Sequence, residues 1–250
     1  MLIDVHSHLN LKEYYNSRVI FDIINVAKQK GQKYILEAGV DYETNKRVLK
    51  LSKEYDIILP CLGLYPDTCY ESKDIIEKIL KQLKNEEYFA ISEVGLDFSD
   101  DTKDKLIQIN LFKRVIEIAN DRKKVLIVHT RKAEKESIEI LKEFCKTKVI
   151  LHCFSGKINY VKELSKDPRF FFSIPTNVLR SQHFQNMIDI LPLSKIFTET
   201  DSPFLSPSKE EFPNKPYNVE KTIEEIAKIK KLDKKEVENM IFLNFQNVFY

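Results

Sequence analysis

The first residues of the chain bring two histidines together at the end of an apolar segment. The sequence begins MLIDVHSHLN, in which Leu2 to Val5 are typical of a short buried strand and His6 and His8 follow it. Side chains at positions i and i+2 of an extended backbone point the same way. Two imidazoles on one side of a strand end are therefore candidates to bind something between them, and imidazole is a common metal ligand.

Further histidines and carboxylates stand at the ends of other predicted strands. Glu93 ends the strand in AISEVGLD, and His129 ends the strand in VLIVHTRK. His152 ends the strand in VILHCFSG, and Asp201 follows the strand in IFTETDSP. In a parallel barrel the carboxyl ends of all strands meet at one mouth, so residues far apart in the sequence converge there. Four imidazoles and two carboxylates at one mouth predict a metal site.

Six ligands suit two divalent ions about 3.5–4 Å apart better than one ion. In this interpretation His6 and His8, with a carboxylate, hold the first ion. His129 and His152 hold the second ion, and Glu93, on a central strand, bridges the two. Imidazole suits zinc, while carboxylates with water suit magnesium or manganese, so all three metals are candidates.

The chemistry that such a site favours is hydrolysis, because a metal-bound water loses its proton near neutral pH. Asp201 and Glu93 are the candidate catalytic residues, and Asp201 is placed to take the proton of the attacking water. Each residue alone also has a structural explanation, such as a turn begun by Asp201. The combined pattern favours the metal site, because four of the five histidines stand at strand ends on one edge. The fifth, His183, lies in a predicted helix, SQHFQNMIDI.

Short apolar segments alternate with amphipathic ones along the whole chain. The helical patterns include SRVIFDIINVAKQKG, which ends at Gly31. Eight strand–helix units in 250 residues predict an α/β protein, a single (β/α)8 TIM-like barrel that forms one domain over residues 1–250. A doubly wound open sheet has the same alternation and is the alternative fold. The predicted strands are Leu2–Val5, Lys33–Ala38, Ile57–Cys61, Phe89–Glu93, Val125–Val128, Val149–Leu151, Phe170–Ile174 and Lys195–Thr198.

Composition sets limits on partners and location. Forty Lys and Arg against 38 Asp and Glu leave a net charge of +2. Binding to a nucleic acid would therefore depend on a local basic patch or on metal ions. No apolar run approaches the roughly 20 residues of a membrane span, the N-terminus does not resemble a signal peptide, and the cysteines form no CxxC pair. We expect a cytoplasmic protein that does not bind membranes and has no obligate protein partner.

The assembled motifs resemble those of the TatD family of metal-dependent deoxyribonucleases, within the amidohydrolase-like barrel superfamily. The resemblance covers nearly the whole chain and rests on DVHSHL, SEVGLD, VHTRKA, HCFSG and ETDSPFL, in that order. It implies a TIM-like barrel, two or more divalent ions and hydrolysis of phosphodiesters, typically of DNA and often from the 3′ end. It also implies that the six histidines and carboxylates named above are the metal ligands.

The resemblance further implies contacts to the substrate. Arg131 belongs to an H-x-R pattern and is expected to face the substrate, while Ser155 belongs to the loop after the sixth strand, where a phosphate would meet backbone N–H groups. Tyr65, in GLYP, replaces a histidine that is thought to contact the phosphate. Asn214 is retained from an Arg-Asn-x-Pro pattern whose arginine is Pro213 here. Both replacements remove positive charge from the substrate side and leave the metal side intact.

Three functions follow from this pattern. The first is a phosphodiesterase acting on nucleic-acid ends, whose loops would grip a strand through basic or aromatic groups. The second is an amidohydrolase or a deacylase of aminoacyl-tRNA, because the same ions polarise a carbonyl group. The third is an inactive barrel used as a binding scaffold, which the intact ligand set argues against. The candidate contacts to a nucleic acid are Arg131, Lys132, Lys157, Arg180, Lys215, Tyr65 and Phe154.

Overall fold

Parallel strands and helices alternate through the computed structural model, which describes residues 1–14, 16–100 and 103–250. The strands are β1 (Leu2–Ser7), β2 (Gln32–Ala38), β3 (Ile58–Leu62), β4 (Ala90–Gly95), β5 (Leu126–His129), β6 (Val149–Leu151), β7 (Phe170–Pro175) and β8 (Ile196–Glu199). The α-helices are α1 (Ser17–Gln29), α2 (Tyr42–Glu54), α3 (Lys73–Asn85), α4 (Lys105–Arg122), α5 (Glu134–Phe144), α6 (Ile158–Leu164), α7 (Gln182–Ile190), α8 (Val219–Lys230) and α9 (Lys234–Phe249). Each predicted strand overlaps an observed one.

The eight strands form one sheet whose order follows the sequence, and each strand is parallel to the next. The sheet closes between β1 and the end of β8. The N–H of His8 donates to Ser202 O at 2.8 Å, and the N–H of Asp201 donates to His6 O at 2.9 Å. This closure excludes the open sheet that was the alternative and confirms the (β/α)8 barrel.

The core lies inside the barrel and between the strands and the surrounding helices. Every residue of β1, β4, β6, β7 and β8 is buried, as expected of parallel strands covered on both faces. Five of the helices, α1 to α4 and α9, begin at a residue whose side chain accepts a hydrogen bond from a free N–H group of the first turn. Such caps are Asn16, Asp41, Ser72, Asp104 and Asp233.

The end of the first helix agrees with its prediction from the sequence. Gly31 follows α1 with a φ of 76°, a conformation that side chains with a Cβ atom rarely adopt. The Pro-rich segment that follows β8, SPFLSPSKEEFPNKPY, lies at the carboxyl end of the barrel, where Phe204 and Leu205 line cavities beside the predicted site. No helix within the described residues has both the length and the apolar character needed to cross a membrane.

Candidate metal centre

The structure brings the predicted ligands together at the carboxyl end of the barrel. The ligand atoms of His6, Glu93, His152 and Asp201 all lie within 4.8 Å of one another. His8 joins them, since its Nε2 lies 3.1 Å from Nε2 of His6 and 3.4 Å from Oδ1 of Asp201. Residues from β1 to the end of β8 therefore surround one small volume.

Glu93 lies among the four predicted histidine ligands and approaches each of them. Its Oε1 lies 3.0 Å from His6 Nε2 and 3.6 Å from His8 Nε2. Its Oε2 lies 3.7 Å from Nδ1 of His129, and that nitrogen is 3.3 Å from Nε2 of His152. His152 also approaches Oε1 of Glu93, at 3.4 Å. Oε1 of Glu93 thus faces His6, His8 and His152, while Oε2 faces His129.

A distortion of β4 directs Glu93 into the barrel mouth. The prediction that Glu93 ends its strand is wrong, because β4 continues to Gly95. The pairing of β4 with β5 shifts between Ser92 and Val94, and Glu93 has a φ of 54°. Bulges with such backbone angles are found where a strand must re-aim a functional side chain. Asp201, just after β8, has a similar φ of 51°.

The first strand also differs from its prediction, since β1 continues to Ser7 and His6 lies inside it. The pairing of β1 with β2 shifts between Asp4 and Ser7. The buried carboxylate of Asp4 accepts hydrogen bonds from the N–H of His6 at 3.1 Å and from the N–H of Thr200 at 3.0 Å. Asp4 therefore holds the end of β1 against the end of β8, where His6 and Asp201 meet.

The outer nitrogens of His6 and His8 are anchored to the protein. Nδ1 of His8 lies 2.9 Å from Ala38 O, and a carbonyl oxygen only accepts hydrogen bonds. This nitrogen therefore carries the proton, and Nε2 of the neutral ring keeps the lone pair that faces the centre. Nδ1 of His6 lies 3.1 Å from the hydroxyl of Ser92, which precedes Glu93.

Asp97 performs the same task for His129, although sequence reasoning missed it. Its buried carboxylate lies 3.0 Å from Nε2 of His129 and accepts the hydroxyl proton of Tyr65 at 3.0 Å. Both bonds end on Oδ2 of Asp97. Because an ionised carboxylate only accepts hydrogen bonds, Nε2 of His129 donates to it, and Nδ1 faces Glu93. The signal was present, because Asp97 is the last residue of the SEVGLD motif.

Glu199 is a second buried carboxylate that sequence reasoning missed. It lies two residues before Asp201 and is fully buried. It accepts hydrogen bonds from the N–H of Cys153 at 2.8 Å and from the hydroxyl of Ser173 at 2.5 Å. Its Oε2 lies 3.7 Å from Nδ1 of His152. Glu199 thus fixes the backbone after β6 and places a negative charge behind His152.

The carboxylates at the centre are held in their ionised form. Burial alone would raise the pKa of Glu93, but the charge of His152 and the hydrogen bond with His6 keep this pKa well below its usual range. The pKa of Asp201 is likewise lowered against burial by its hydrogen bond with His8 and by the charges of the nearby histidines. The pKa of Asp97 is lowered through His129 in the same way.

The pKa values of the histidines are also shifted. Burial would lower the pKa of His152, but Glu93 and Glu199 outweigh it and raise the pKa to about 9. The pKa of His8 is raised well above its usual value against burial, because of its hydrogen bonds with Asp201 and Glu93. The pKa of His6 is lowered by burial and by the charge of His152.

These residues fit a divalent metal ion. Oε2 of Glu93 is buried and has no hydrogen-bond partner among the described residues. Among the described residues, every side chain that pairs with the carboxylate of Glu93 or Asp201 is a histidine. Imidazole nitrogens and carboxylate oxygens are established metal donors, and a cation would satisfy both ionised carboxylates.

Two adjoining cavities open over the centre. The first, of about 460 Å³, is lined by His8, Leu11, Val40, Tyr65, Glu93, His129, Arg131, His152, Asp201 and Phe204. The second, of about 360 Å³, is lined by His129, Thr130, Arg131, His152, Cys153, Ser155, Phe184, Asp201 and Leu205. Arg131 is exposed and lines both cavities.

The other predicted substrate residues differ in their surroundings. Tyr65 lines the first cavity but donates its hydroxyl proton to Asp97. Ser155 is exposed at the second cavity, with its hydroxyl 3.3 Å from Oε1 of Glu134. Asn214 is fully buried away from both cavities. Its amide nitrogen donates to the hydroxyl oxygen of Thr176 at 2.8 Å and to a backbone oxygen at 2.9 Å, which pins the segment after β8.

The prediction that Phe154 stacks against bases is wrong. Its ring is fully buried and meets the ring of Phe172 at 5.8 Å between centroids, because the HCFSG turn folds it inward. The hydrophobic core thus takes an aromatic side chain that sequence position alone assigns to the surface. His183 lies in α7 with Nε2 3.0 Å from Phe154 O, outside the cluster of ligands.

Comparisons with known proteins agree with this geometry. The family model described as TatD related DNase matches residues 3–250. An uncharacterized metal-dependent hydrolase of Methanocaldococcus jannaschii is 36% identical over 244 residues, which cover 97% of this chain and 94% of that protein. The human deoxyribonuclease TATDN3 is 31% identical over 262 residues, which cover 99% of this chain and 94% of that protein.

The solved structures give the same fold. The TatD homologue YjjV from Escherichia coli superposes with a TM-score of 0.88 at 22% identity, covering 99% of this chain and 97% of that one. The sequence relatives and the family model extend over nearly the full length, as the ordered strand-end motifs do. The chain is therefore a metal-dependent hydrolase and belongs to the family of TatD related DNases.

Proposed function

We propose that this chain hydrolyses phosphodiester bonds of DNA, removing nucleotides from the 3′ end with the help of two divalent ions. The observation that carries the proposal is the position of Glu93, with Oε1 at 3.0 Å from His6 and Oε2 at 3.7 Å from His129. A carboxylate whose two oxygens face different histidines is suited to bridging two ions. Bound divalent ions neutralise a phosphate and lower the pKa of bound water.

The two groups of ligands divide as follows. His6 and His8 would hold the first ion together with Asp201. His129, through Nδ1, and His152, through Nε2, would hold the second ion. Support comes from the outer contacts, since Nδ1 of His8 and Nε2 of His129 are both committed to acceptors and leave the inner nitrogens free. Zinc, magnesium and manganese all suit this mixed set.

Asp201 is the group that would accept the proton of the attacking water. Its Oδ1 lies 3.5 Å from His6 and 3.4 Å from His8, and its carboxylate lines both cavities. The lowered pKa of Asp201 keeps it ionised and therefore able to act as a base at neutral pH. Glu93 would stay ionised and keep the ligand groups in place.

Arg131 would hold the phosphate. It lies where the two cavities join, and no hydrogen bond or ion pair of its guanidinium is found among the described residues. A guanidinium binds the oxygens of a phosphate in a bidentate manner. With a net charge of only +2, the whole chain attracts DNA weakly, so this local charge and the ions would supply the binding.

A nuclease assay with added metal tests the proposal. Single-stranded DNA labelled at its 5′ end, incubated with the purified chain and Zn²⁺, Mg²⁺ or Mn²⁺ in turn, should shorten from the 3′ end. Glu93→Gln should abolish this cleavage, and His183→Ala, outside the centre, should not change it. Aminoacyl-tRNA and amide substrates are assayed in parallel. Hydrolysis of those substrates with no cleavage of DNA would replace this proposal with the carbonyl alternative.

A further inference from the structure

An aromatic side chain is exposed to solvent beside the candidate metal centre. Phe204, three residues after Asp201, is 45% exposed and lines the cavity of about 460 Å³. That volume is within the range of sites that bind small molecules. Apart from Phe204, the walls beyond the ligands are formed by Leu11, Val40 and Tyr65, together with Arg131 at one edge.

The exposure of Phe204 does not come from a loosely attached segment. The N–H of Phe204 donates to Asp201 O at 2.8 Å, which ties the ring to a metal-centre residue. On either side, Pro203 O accepts the N–H of Asn214 at 2.9 Å, and Leu205 O accepts the hydroxyl of Thr176 at 2.5 Å. Three hydrogen bonds therefore fix the backbone around a large apolar side chain that stays partly exposed to water. Burial would be the favoured state of such a side chain.

We propose that Phe204 is the stacking surface for the base of the terminal nucleotide, with the attached phosphate between Arg131 and the metal centre. This inference rests on the proposed function and adds a binding site for the nucleobase. An aromatic ring meets the face of any base, and such stacking is worth about 1–3 kcal/mol per base. A base that enters this cavity would leave the polar ligands free for the phosphate.

The side chains that line this cavity bear on whether the site prefers one base over another. Leu11 and Val40 offer no hydrogen-bonding side chain, and the hydroxyl proton of Tyr65 is already donated to Asp97. The base-reading contacts that distinguish one base from another need donors and acceptors at the base edge. The site should therefore require a base at the terminus without selecting which base it is.

A substrate without a terminal base tests this proposal. Phe204→Ala is compared with wild type on oligonucleotides that end in a normal nucleotide or in an abasic one. On the normal end, Phe204→Ala should raise KM about tenfold with kcat nearly unchanged, because stacking binds ground state and transition state alike. On the abasic end the variant and the wild type should have equal KM values. Phe204→Trp should restore the wild-type KM.

Phe212 provides the matched control. It belongs to the same segment and is 56% exposed, but it does not line either cavity. Phe212→Ala should keep the KM of the wild type on both substrates. An equal loss by Phe204→Ala on normal and abasic ends, or no loss on either, would overturn the proposal.

A binding measurement separates this proposal from the proposed nuclease activity. An oligonucleotide with a terminal 2-aminopurine and a non-hydrolysable methylenephosphonate as its last linkage is titrated with each variant. Stacking on Phe204 should quench the fluorescence with wild type and not with Phe204→Ala. If the wild type does not cleave DNA, the nuclease proposal fails. The fluorescence quenching still shows whether the terminal base stacks on Phe204. Quenching that persists without the ring, or is absent with it, rejects the stacking site.

Discussion

His129 and Asp97 are joined by a hydrogen bond of 3.0 Å between Nε2 and Oδ2, and this bond decides which nitrogen of His129 faces the metal centre. Because the carboxylate accepts the Nε2 proton, Nδ1 keeps its lone pair toward Glu93 and His152. A carboxylate behind a ligand histidine fixes the orientation of the ring and raises its basicity as a ligand. In the proposed centre, Asp97 would therefore be a positioning residue that acts on the metal through His129.

Asp97→Asn should weaken metal binding. Loss of the negative charge behind His129 makes the ring a poorer ligand, and such outer partners are worth about 10–100-fold in metal affinity. Isothermal titration calorimetry with Zn²⁺ or Mn²⁺ measures the change. Asp189→Asn, at an exposed position of α7, is the control and should bind metal as wild type does. Equal affinities for Asp97→Asn and wild type would show that the bond does not position a ligand.

Tyr65→Phe should act through the same network. The variant removes the hydroxyl that donates to Oδ2 of Asp97 at 3.0 Å and keeps the ring. We expect a loss of metal affinity of a few-fold, about 1 kcal/mol, as for one hydrogen bond. In the Asp97→Asn background the same change should add little, because coupled residues are not additive. Fully additive losses would show that Tyr65 does not act through Asp97.

Metal-free and metal-bound protein should differ in their response to pH. The pKa of His152, although burial alone would lower it, is raised to about 9 by Glu93 and Glu199. A histidine whose pKa is raised by folding stabilises the metal-free fold fully below the unfolded value of about 6.5, and this stabilisation is lost as the pH rises toward 9. Metal needs the neutral ring, so its affinity should rise across the same window.

The difference in Tm between metal-bound and metal-free protein measures this effect. It should grow between about pH 6.5 and 9, and titrations near neutral pH, in buffers of different ionisation enthalpy, should detect proton release on metal binding. A difference in Tm that is constant over this range, with no proton release, would contradict protonated histidines in the free centre.

His6→Ala and His152→Ala should each abolish hydrolysis with little change of fold. Both residues belong to the mouth of the barrel, where side chains serve the site more than the packed core. We expect a loss of activity greater than about 100-fold, since a lost ligand costs more than a lost outer partner. Circular dichroism and Tm of the metal-free variants check the fold, and His183→Ala is the control. Full turnover by either variant would mean that the ligands are assigned wrongly.

The convergence of the six predicted ligands could be anticipated from the sequence because barrel topology places every strand end at one mouth. Alternation of apolar and amphipathic segments was sufficient for that, and errors of one or two residues at strand ends did not matter. The bulge at Glu93 could not be read from AISEVGLD, because a register shift depends on the pairing of β4 with β5. The structure also shows why residue 95 is a glycine, since a Cβ there would lie 2.0 Å from His129 O.

The surroundings of individual side chains were harder to anticipate. Asp97 and Glu199 stand in the quoted motifs, but nothing in a linear pattern says which histidine a carboxylate supports. Asn214 and Phe154 were themselves candidate contacts to the substrate and are nevertheless fully buried. Whether a loop residue faces the cavity or the core depends on the packing of its whole loop, which local spacing does not encode. Exposure of Phe204 was missed for the same reason.

The stoichiometry of divalent metal binding tests the central claim most directly. Calorimetric titration of the metal-free chain, together with elemental analysis after removal of excess metal, should give two ions per chain. Glu93→Gln removes one charge from the proposed bridge and should reduce the stoichiometry to one or none, while His183→Ala should retain two. A wild-type chain that binds no divalent ion, or a Glu93→Gln variant that still binds two with unchanged affinity, would contradict a centre built around Glu93.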